Sequence, residues 1–417
     1  MCHYWAMDSH ILASSAPDAP SVLGAGLAAL IVLLPAGLVV YSLVRWRKAR
    51  REGTARGSLP QIIGVLVLCP VGAELLAAYG ESTGDPGAVA FALVFFAGLY
   101  GAPALLAREL ARRCGWGWPS LLLLFAALGT AQACLIDQSM FSVDYQGYEG
   151  WEAVRETTLI PGLGISALNA FTFVGGHVVF SFAAPVAVAE AWSPRRAEAP
   201  WLGPSGIVFA GAAYALTAAA ILGDPESHSG GPVQLAVSGA LVAALLAAAA
   251  LTGRRRRVAP ASRRRAPVPP VVATAVVAAA VPDFLGQGWA AVAAHLVLGT
   301  ALGAVILRAV RRGGWSPWHT AAVALGYLAV RGTLAFTYFP LLGEVEPGPK
   351  YAHNAVMLAV VALAGAVAWR RGGRTAAEEA PPEARPALRR KRGRGNTAGT
   401  GERCPRVTSL PDADRTE

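Results

Sequence analysis

Long apolar stretches follow one another along most of the chain, and short polar segments separate them. Eleven of these stretches approach the roughly 20 residues that a helix needs to cross about 30 Å of hydrocarbon. Because a segment exposed to lipid must satisfy its own backbone hydrogen bonds, each stretch predicts a transmembrane α-helix. The predicted fold class is therefore all-α, a polytopic transmembrane bundle of about 11 helices, with ten and twelve as the limits. The stretches cover residues 22–44, 60–79, 88–107, 119–138, 165–190, 203–222, 233–252, 268–285, 288–308, 317–339 and 353–369.

The composition agrees with a membrane location. Of the 417 residues, 54% are hydrophobic and 15% are charged, whereas soluble domains carry about 25% charged residues. The formal net charge of +10 does not indicate a nucleic-acid partner, because Lys and Arg lie almost wholly in short runs between the apolar stretches. The chain contains no P-loop, GxGxxG, GxSxG or HExxH motif, so its motifs predict no cofactor.

Basic residues are concentrated in alternate loops. If the N-terminus lies outside the cell, Lys and Arg fill the inner loops, and the outer loops hold only Arg155 and Lys350. The positive-inside rule then predicts an extracellular N-terminus and a cytoplasmic C-terminus. The predicted organisation is a short extracellular segment (1–21), a transmembrane domain (22–371) and a disordered cytoplasmic tail (372–417). The basic residues of the inner loops are Arg45, Arg47, Lys48, Arg50, Arg51, Arg56, Arg108, Arg112, Arg113, Arg195, Arg196, Arg254 to Arg257, Arg263 to Arg265, Arg308, Arg311 and Arg312.

The predicted tail contains a basic run, LRRKRGRGN, at residues 388–396. Two interpretations of this run are open: it binds anionic lipid headgroups, or it is a solvated segment that only reinforces the topology. The partners expected from the sequence are therefore the lipid bilayer and, through this run, anionic lipid headgroups.

The outer loop at residues 139–157 is the only outer loop long enough to fold on itself. It carries the aromatic residues Tyr145, Tyr148 and Trp151. Aromatic side chains are enriched at membrane interfaces, so these three predict an interfacial belt. The alternative is a lid that covers a ligand.

Six ionisable residues fall inside the apolar stretches, where each costs at least about 2.5–3.5 kcal/mol at the bilayer centre unless it is paired or hydrated. A rise of about 1.5 Å per residue places Glu74 and Arg331 at the same depth. Asp137 and His295 also fall in the outer half. We therefore predict a polar cluster that opens to the outside and in which a carboxylate neutralises Arg331. The alternative is an ion pair that only stabilises the bundle. The six residues are Glu74, Asp137, His177, Glu190, His295 and Arg331.

Two of these residues have simpler explanations. Glu190 precedes Trp192 and the Arg195–Arg196 pair, so it is expected to extend to the inner interface. His295 shares a helical face with Gly299 and Gly303, a spacing that is typical of close helix packing.

One short motif surrounds His177. Phe173-Val-Gly-Gly-His177 resembles the Phe-x-x-x-His element of the CAAX-protease and bacteriocin-processing membrane family. The resemblance implies an intramembrane metallohydrolase scaffold with His177 and His295 as candidate metal ligands. The fourth apolar stretch, however, reads GTAQACLIDQSMF and lacks the family's Glu-Glu-x-x-x-Arg motif, and Gly299 replaces the Asn of its His-x-x-x-Asn motif. Without the glutamates, a metal-bound water has no general base, so the scaffold implied is an inactive one.

Longer segments carry a second resemblance. Residues 98–129, 136–150, 177–203 and 313–328 are similar to multi-pass integral membrane proteins of high-GC actinobacteria. That set often has a pair of glutamates where this chain has Gln132 and Ala133, and it carries no established activity. The likeness implies the architecture and a bacterial plasma-membrane location. Two functional hypotheses remain: a small-solute transporter or accessory membrane subunit, and a degenerate CAAX-protease-like scaffold.

Overall fold

The computed structural model of the protein describes residues 22–53, 58–145, 147–148, 150–254 and 267–373. Within these residues, nine helices have the length and apolar composition needed to cross a membrane, and two more are apolar but shorter, Leu59–Leu75 and Val268–Phe284. This confirms the predicted all-α bundle. The helices are α1 (Val22–Arg51), α2 (Leu59–Leu75), α3 (Pro86–Arg113), α4 (Trp118–Ile136), α5 (Ala167–Ala191), α6 (Pro204–Leu222), α7 (Pro232–Arg254), α8 (Val268–Phe284), α9 (Trp289–Arg311), α10 (Pro317–Thr337) and α11 (Pro347–Gly373).

The eleven helices coincide with the eleven predicted stretches, with ends that differ by a few residues. The extracellular segment at 1–21 and the basic run of the tail at 388–396 lie outside the described residues. Helix starts follow elementary rules. Most of the helices carry a proline in the first turn, where the missing N–H has no helical partner in any case. Asp85 caps α3 by accepting hydrogen bonds from the backbone N–H groups of Gly87 and Ala88.

Four neighbouring helices depart from α-helical winding, α3 and α5 in their interiors and α2 and α4 over their last five residues. The π-helical segments are Val71–Leu75 in α2, Ala97–Gly101 in α3, Gln132–Ile136 in α4, and Ala170–Gly175 with His177–Ala183 in α5. Pro103 and Pro185 each follow such a segment. A proline supplies no N–H to the carbonyl four residues earlier, so a change of winding is expected beside it. No proline lies next to the segment in α4.

The core is formed mainly by α2 to α5, with α10 against α5 and α11 against α10. Around this core, α1 packs along α6, α7 along α4, and α8 along α10 and α9. Glycine allows the closest approaches. A Cβ atom on Gly64 of α2 would collide with the Trp192 ring, and one on Gly253 of α7 would collide with Trp116. Two tryptophans from the connections that follow α5 and α3 thus lie directly on the backbone of α2 and α7, and small residues permit such close contacts between membrane helices.

The segment between α4 and α5, residues 137–166, folds into a small structure that we call the cap. It contains a short helix, Trp151–Glu156, and two antiparallel two-residue strands, β1 (Leu159–Ile160) and β2 (Ile165–Ser166). The Trp151 indole is buried, donates a hydrogen bond to the Ser142 carbonyl at 3.0 Å and stacks on Tyr145. The interfacial-belt interpretation is therefore wrong for Trp151, because its ring is part of the cap's own core.

At one end of the bundle, α3 and α5 finish and α6 begins; we call it the arginine end. There Glu190 is buried and accepts hydrogen bonds from Nε of Arg108 at 2.9 Å and from Nε and Nη2 of Arg112 at 3.0 Å and 2.9 Å. Arg108 also lies over the Trp201 ring, with its Cζ 3.2 Å from the ring centroid. The expectation that Glu190 extends to the interface is wrong, because two buried guanidinium groups from α3 bind its carboxylate inside the protein.

The same end holds a second, partly exposed pair. Glu109 accepts a hydrogen bond from Arg113 Nε at 2.8 Å and from the backbone N–H groups of Trp201 and Leu202. Arg108 and Arg113 in turn donate to backbone carbonyls of residues 197, 199 and 202. The network joins α3, α5 and the 192–203 connection into one unit.

Replacing Glu190 with Gln is expected to destabilise the protein by about 3–5 kcal/mol, because two buried guanidinium groups lose the one carboxylate that pairs with them among the described residues. The measurement is the apparent melting temperature of the purified protein in detergent. Glu52→Gln is the matched control, since it breaks the exposed pair between Glu52 and Lys48, 3.8 Å apart, and exposed pairs contribute about 0–1 kcal/mol. Equal melting temperatures for the two variants would contradict a stabilising role for the buried network.

Candidate functional site

Glu74 lies in the π-helical segment of α2 and is buried inside the bundle. The Tyr100 hydroxyl of α3 donates a hydrogen bond to its Oε1 at 2.8 Å, and the Tyr79 hydroxyl donates to its Oε2. Both carboxylate oxygens therefore have a phenolic donor. Buried carboxylates are tolerated only with such partners, which identifies the two tyrosines as the groups that hold Glu74 in place.

Arg331 of α10 is buried close to Glu74. Its Nη2 donates a hydrogen bond to the Ala73 carbonyl at 2.9 Å, and its guanidinium lies 4.5 Å from the centroid of the Phe180 ring. The charge of Arg331 acts electrostatically on both Glu74 and His177. Among the described residues it forms no ion pair, and its buried Nε has no hydrogen-bond partner.

The described residues contain no ion pair between Arg331 and either Glu74 or Asp137, so the predicted neutralisation does not take the form of a direct contact, although the charge of Arg331 acts on Glu74. The physical reason is that other groups already bind both carboxylates. Tyrosine hydroxyls take the two oxygens of Glu74, and Asp137 accepts from the backbone N–H and the hydroxyl of Ser139 at 3.0 Å and 2.7 Å. Arg331 instead meets a backbone carbonyl and an aromatic face.

Asp137 lies at the end of α4, where the cap begins. Besides Ser139, its partner is Gln132, whose side-chain amide donates to Oδ2 at 3.3 Å. Asp137 acts electrostatically on Glu74 and Tyr100, and Tyr145 of the cap does so on Tyr79 and Tyr100. The cap thus lies directly against the buried site.

His177 of α5 is fully buried and shares a hydrogen bond of 3.0 Å between its Nδ1 and Ser181 Oγ. Its ring centroid lies 5.3 Å from that of Tyr100. Close packing with α4 makes this position possible, because a Cβ atom on Gly129 would lie only 3.1 Å from the His177 Cβ. We call the group formed by Glu74, Tyr79, Tyr100, Asp137, His177 and Arg331 the polar cluster.

His295 of α9 has a different place. Its ring stacks on Phe171, with the centroids 5.1 Å apart and the planes within 7°. The structure therefore brings together three of the four residues predicted for a polar site, Glu74, Asp137 and Arg331. The fourth, His295, lies apart from them and packs against Phe171 near the beginning of α5.

The donor set does not suit zinc. The two histidines have different neighbours: His295 of α9 stacks on Phe171, and His177 of α5 shares a hydrogen bond with Ser181, ten residues after Phe171. Zinc sites in proteins use three or four protein ligands. The part of the chain that the structure describes contains no group of three or more His, Cys, Asp or Glu side chains that could hold a metal ion.

The C-terminal end of α2 is also part of the site. Beyond Leu75 the chain leaves the helix, and Ala78 adopts a positive φ of 53°. The last backbone carbonyls of α2 therefore accept hydrogen bonds from side chains of α10, of α11 and of the segment between them. The Ala73 carbonyl accepts from Arg331 and the Leu75 carbonyl from His353 Nε2 at 2.8 Å. The Ala77 carbonyl accepts from the Tyr338 hydroxyl. A helix end inside a membrane bundle requires such partners, because lipid supplies none.

The π-helical regions of α2, α3, α4 and α5 lie around this point. Those of α2, α3 and α4 contain or flank Glu74, Tyr100 and Asp137, and the segment of α5 begins at His177. The segments of α2 and α3 both contact that of α5. Short π-helical segments inside α-helices are frequent at functional sites, so the change of winding and the polar cluster point to the same location.

Sequence reasoning missed Tyr79 and Tyr100. The only signal available was that a tyrosine hydroxyl inside an apolar stretch needs a partner. Chemically, the cluster offers a carboxylate held by two phenols, a guanidinium with a spare donor and a buried imidazole, which suits the binding of a polar solute. Comparison with protein-family models, with curated proteins and with solved structures gave no match.

Gly72 sets the distance between α2 and α5 beside Glu74, because a Cβ atom there would collide with the Phe180 carbonyl oxygen. Gly72→Ala should therefore destabilise the protein by about 1–3 kcal/mol through overpacking. Gly239→Ala in α7 is the control. A Cβ there meets nothing within 4 Å, and Ala in a helix interior is favoured over Gly by roughly 0.5–1 kcal/mol. The melting temperatures of both variants in detergent measure these effects. An unchanged melting temperature in Gly72→Ala would contradict the close approach of α2 to α5.

Proposed function

We propose that the protein is a multi-pass transporter of a small polar solute in a bacterial plasma membrane and that the polar cluster binds the solute. The observation that carries the proposal is the convergence of π-helical segments from four helices on buried ionisable residues beneath the cap. Interrupted helices near the middle of a bundle are a recurrent feature of transporter binding sites.

Arg331 favours this proposal over a purely structural role. A charge inside a membrane bundle costs at least about 2.5–3.5 kcal/mol, and an ion pair is the usual compensation. Arg331 has no ion-pair partner among the described residues, and its Nε has no acceptor. A solute with a carboxylate or another acceptor group would meet both needs, since a guanidinium binds such groups with two parallel hydrogen bonds.

The cap supports access from the outer side. It packs against the polar cluster, because Tyr145 and Trp151 of the cap lie in one buried apolar group with Tyr79, and the cap begins at Asp137 of the cluster. Tyr145 stacks on Trp151, with ring centroids 4.8 Å apart, and also contacts Phe173 of α5. A solute entering from outside would have to displace this aromatic contact.

The proposed orientation has the N-terminus outside and the C-terminus in the cytoplasm. The distribution of arginine and lysine supports it, because the ends of α1, α3, α7 and α9 carry basic residues in their last turns. The arginine end is then cytoplasmic and the cap extracellular.

Cysteine labelling tests the orientation. In one variant Cys114 is the only cysteine left, and in the other Glu344→Cys is introduced after removal of all five native cysteines. Cys114 is exposed at the end of α3 and Glu344 is exposed in the connection between α10 and α11. An impermeant maleimide should label the Glu344→Cys variant in intact cells and the Cys114 variant only after lysis. The opposite pattern would reverse the proposed orientation.

Transport is tested with purified protein in liposomes. The liposomes are incubated with a mixture of amino acids, carboxylic acids, sugars and polyamines, and the accumulated compounds are identified by mass spectrometry. We expect accumulation that falls about tenfold or more in Arg331→Lys and in Glu74→Gln, because each removes a charged hydrogen bond of about 1.5–3 kcal/mol.

The controls keep the same chemistry at exposed positions. Arg311→Lys lies at the end of α9 and Glu344→Gln in the connection between α10 and α11, both on the surface. They should transport like the wild type. Accumulation that is equal in all four variants would contradict a role for the polar cluster, and no accumulation by any protein-containing liposome would contradict the transporter proposal.

A further inference from the structure

His353, in the second turn of α11, binds the backbone on both sides of its ring and is only 7% exposed. Its Nε2 lies 2.8 Å from the carbonyl oxygen of Leu75, the last residue of α2. The backbone N–H of Gly84 donates a hydrogen bond to its Nδ1 at 3.3 Å. One side chain of α11 therefore holds both ends of residues 76–85, which we call the α2–α3 connection.

These two partners determine the protonation state of the ring. A carbonyl oxygen only accepts, so Nε2 must carry a hydrogen. A backbone N–H only donates, so Nδ1 must carry none. Neutral imidazole with its hydrogen on Nε2 is the one form that makes both hydrogen bonds of His353. In the imidazolium ion both nitrogens are donors, and the Nδ1 hydrogen would point at the N–H of Gly84.

Close packing keeps Gly84 beside His353. Its φ is +84°, and a Cβ atom there would lie 2.7 Å from Val345 Cγ2 and 2.9 Å from Pro349 Cβ at the beginning of α11. Within the same turn, the N–H of Thr83 binds the Gly80 carbonyl at 3.0 Å. Gly84 thus has little room to turn its N–H toward another acceptor, and a protonated His353 would push it away from α11.

The ionisable side chains of the surrounding elements have contacts of their own. Lys350 donates to the Ala335 carbonyl at 2.9 Å, and Asp85 caps α3. Both hydrogen bonds of His353 are with neutral backbone groups, so a proton on its ring is the charge change that acts directly on Gly84. These ionisable residues are Glu74 of α2, Tyr79, Glu81 and Asp85 of the α2–α3 connection, Arg331 of α10, Tyr338 before α11, and Lys350 and Tyr351 of α11.

The α2–α3 connection also carries Tyr79, which belongs to the polar cluster. The Tyr79 hydroxyl donates to Glu74 Oε2, and its backbone carbonyl accepts from the N–H groups of Leu341 at 2.8 Å and Leu342 at 3.3 Å. Tyr79 lies in sequence between the two residues that His353 binds. The contact between His353 and Gly84 therefore fastens the same short segment that supplies one of the two phenol donors of Glu74.

We propose that His353 is a proton-sensitive switch that fastens the α2–α3 connection to α11 when neutral and releases it at Gly84 when protonated. The proton comes from water, and the hydrogen bond to Leu75 remains because imidazolium still donates from Nε2. Histidine without special partners titrates near pH 6.5, so the Gly84 contact is present at neutral pH and is lost as the pH falls below about 6.5. The switch does not depend on the proposed transport function; only the assignment to extracellular protons uses the proposed orientation.

Hydrogen–deuterium exchange of the full chain in detergent tests the switch. Exchange is measured by mass spectrometry at pH 7.5 and 5.5 and divided by the intrinsic rate at each pH. The wild type is compared with His353→Gln, which does not titrate, and with His353→Asn as a second variant of this kind. His295→Gln is the matched control, since it removes a histidine that packs on Phe171 instead.

A second control removes the acids of the segment itself, by Glu81→Gln together with Asp85→Asn. Asn is also a good residue at the start of a helix, so α3 keeps its cap. Peptides from the 192–203 connection at the arginine end report on opening of the whole protein.

We expect residues 76–85 of the wild type to exchange about tenfold faster at pH 5.5 than at pH 7.5, because a released histidine is then about tenfold more protonated than neutral. Residues 192–203 should show no such change. The His353 variants should lose the pH dependence, and both controls should keep it.

Three results would overturn the switch. The first is wild-type exchange at 76–85 that does not depend on pH. The second is an equal rise at 192–203, which would mean that acid opens the whole protein. The third is a pH dependence that persists in His353→Gln or His353→Asn, or that disappears with the two acids, because another group would then be responsible. The first two results need no variant, so the test stands even if a substitution prevents folding.

Discussion

Hydrocarbon offers no hydrogen-bond partners, so every polar group inside this bundle depends on another part of the protein. The structure meets this requirement in two different ways. At the arginine end, a carboxylate is bound by two guanidinium groups and the arrangement is nearly complete. In the polar cluster, Glu74 is satisfied but Arg331 keeps a donor without an acceptor. The paired groups around Glu190 are typical of an ion pair that stabilises a fold. The unpartnered donor of Arg331 is not, and this difference is the reason to treat the polar cluster as a candidate site.

The end of α2 connects the cluster to the remaining helices. Because α2 stops inside the bundle, its last carbonyls have no helical donors, and Arg331, Tyr338 and His353 replace them. A movement of α10 or α11 would therefore remove hydrogen bonds from the segment that carries Glu74. The cap rests on the same region through Tyr145 and Trp151. The polar cluster, the position of the cap and the packing of the last two helices are thus physically linked.

Hydropathy alone predicted the helices, because lipid imposes length and apolar composition on each one independently. Depth along a helix also follows from counting residues, which is why Glu74 and Arg331 were predicted to lie together. Contacts between helices could not be predicted in this way. Nothing in the sequence shows that Arg108 and Arg112 lie beside Glu190, or that Tyr100 reaches Glu74 across 26 positions. The single-sequence signal for His295 was limited to its spacing from two glycines, and its actual neighbour, Phe171, lies on a different helix.

The π-helical segments have a consequence for how the helices are oriented. Such a segment holds a residue more than α-helical winding would, and one residue corresponds to a rotation of about 100°. In α5, which is π-helical over most of residues 170–183, a single helical period therefore does not describe which residues share a face. If the same residues wound as a regular α-helix, every side chain beyond such a segment would turn by about 100° away from its present neighbours. The number of residues in these short stretches, as much as their identity, determines which side chains meet in the polar cluster.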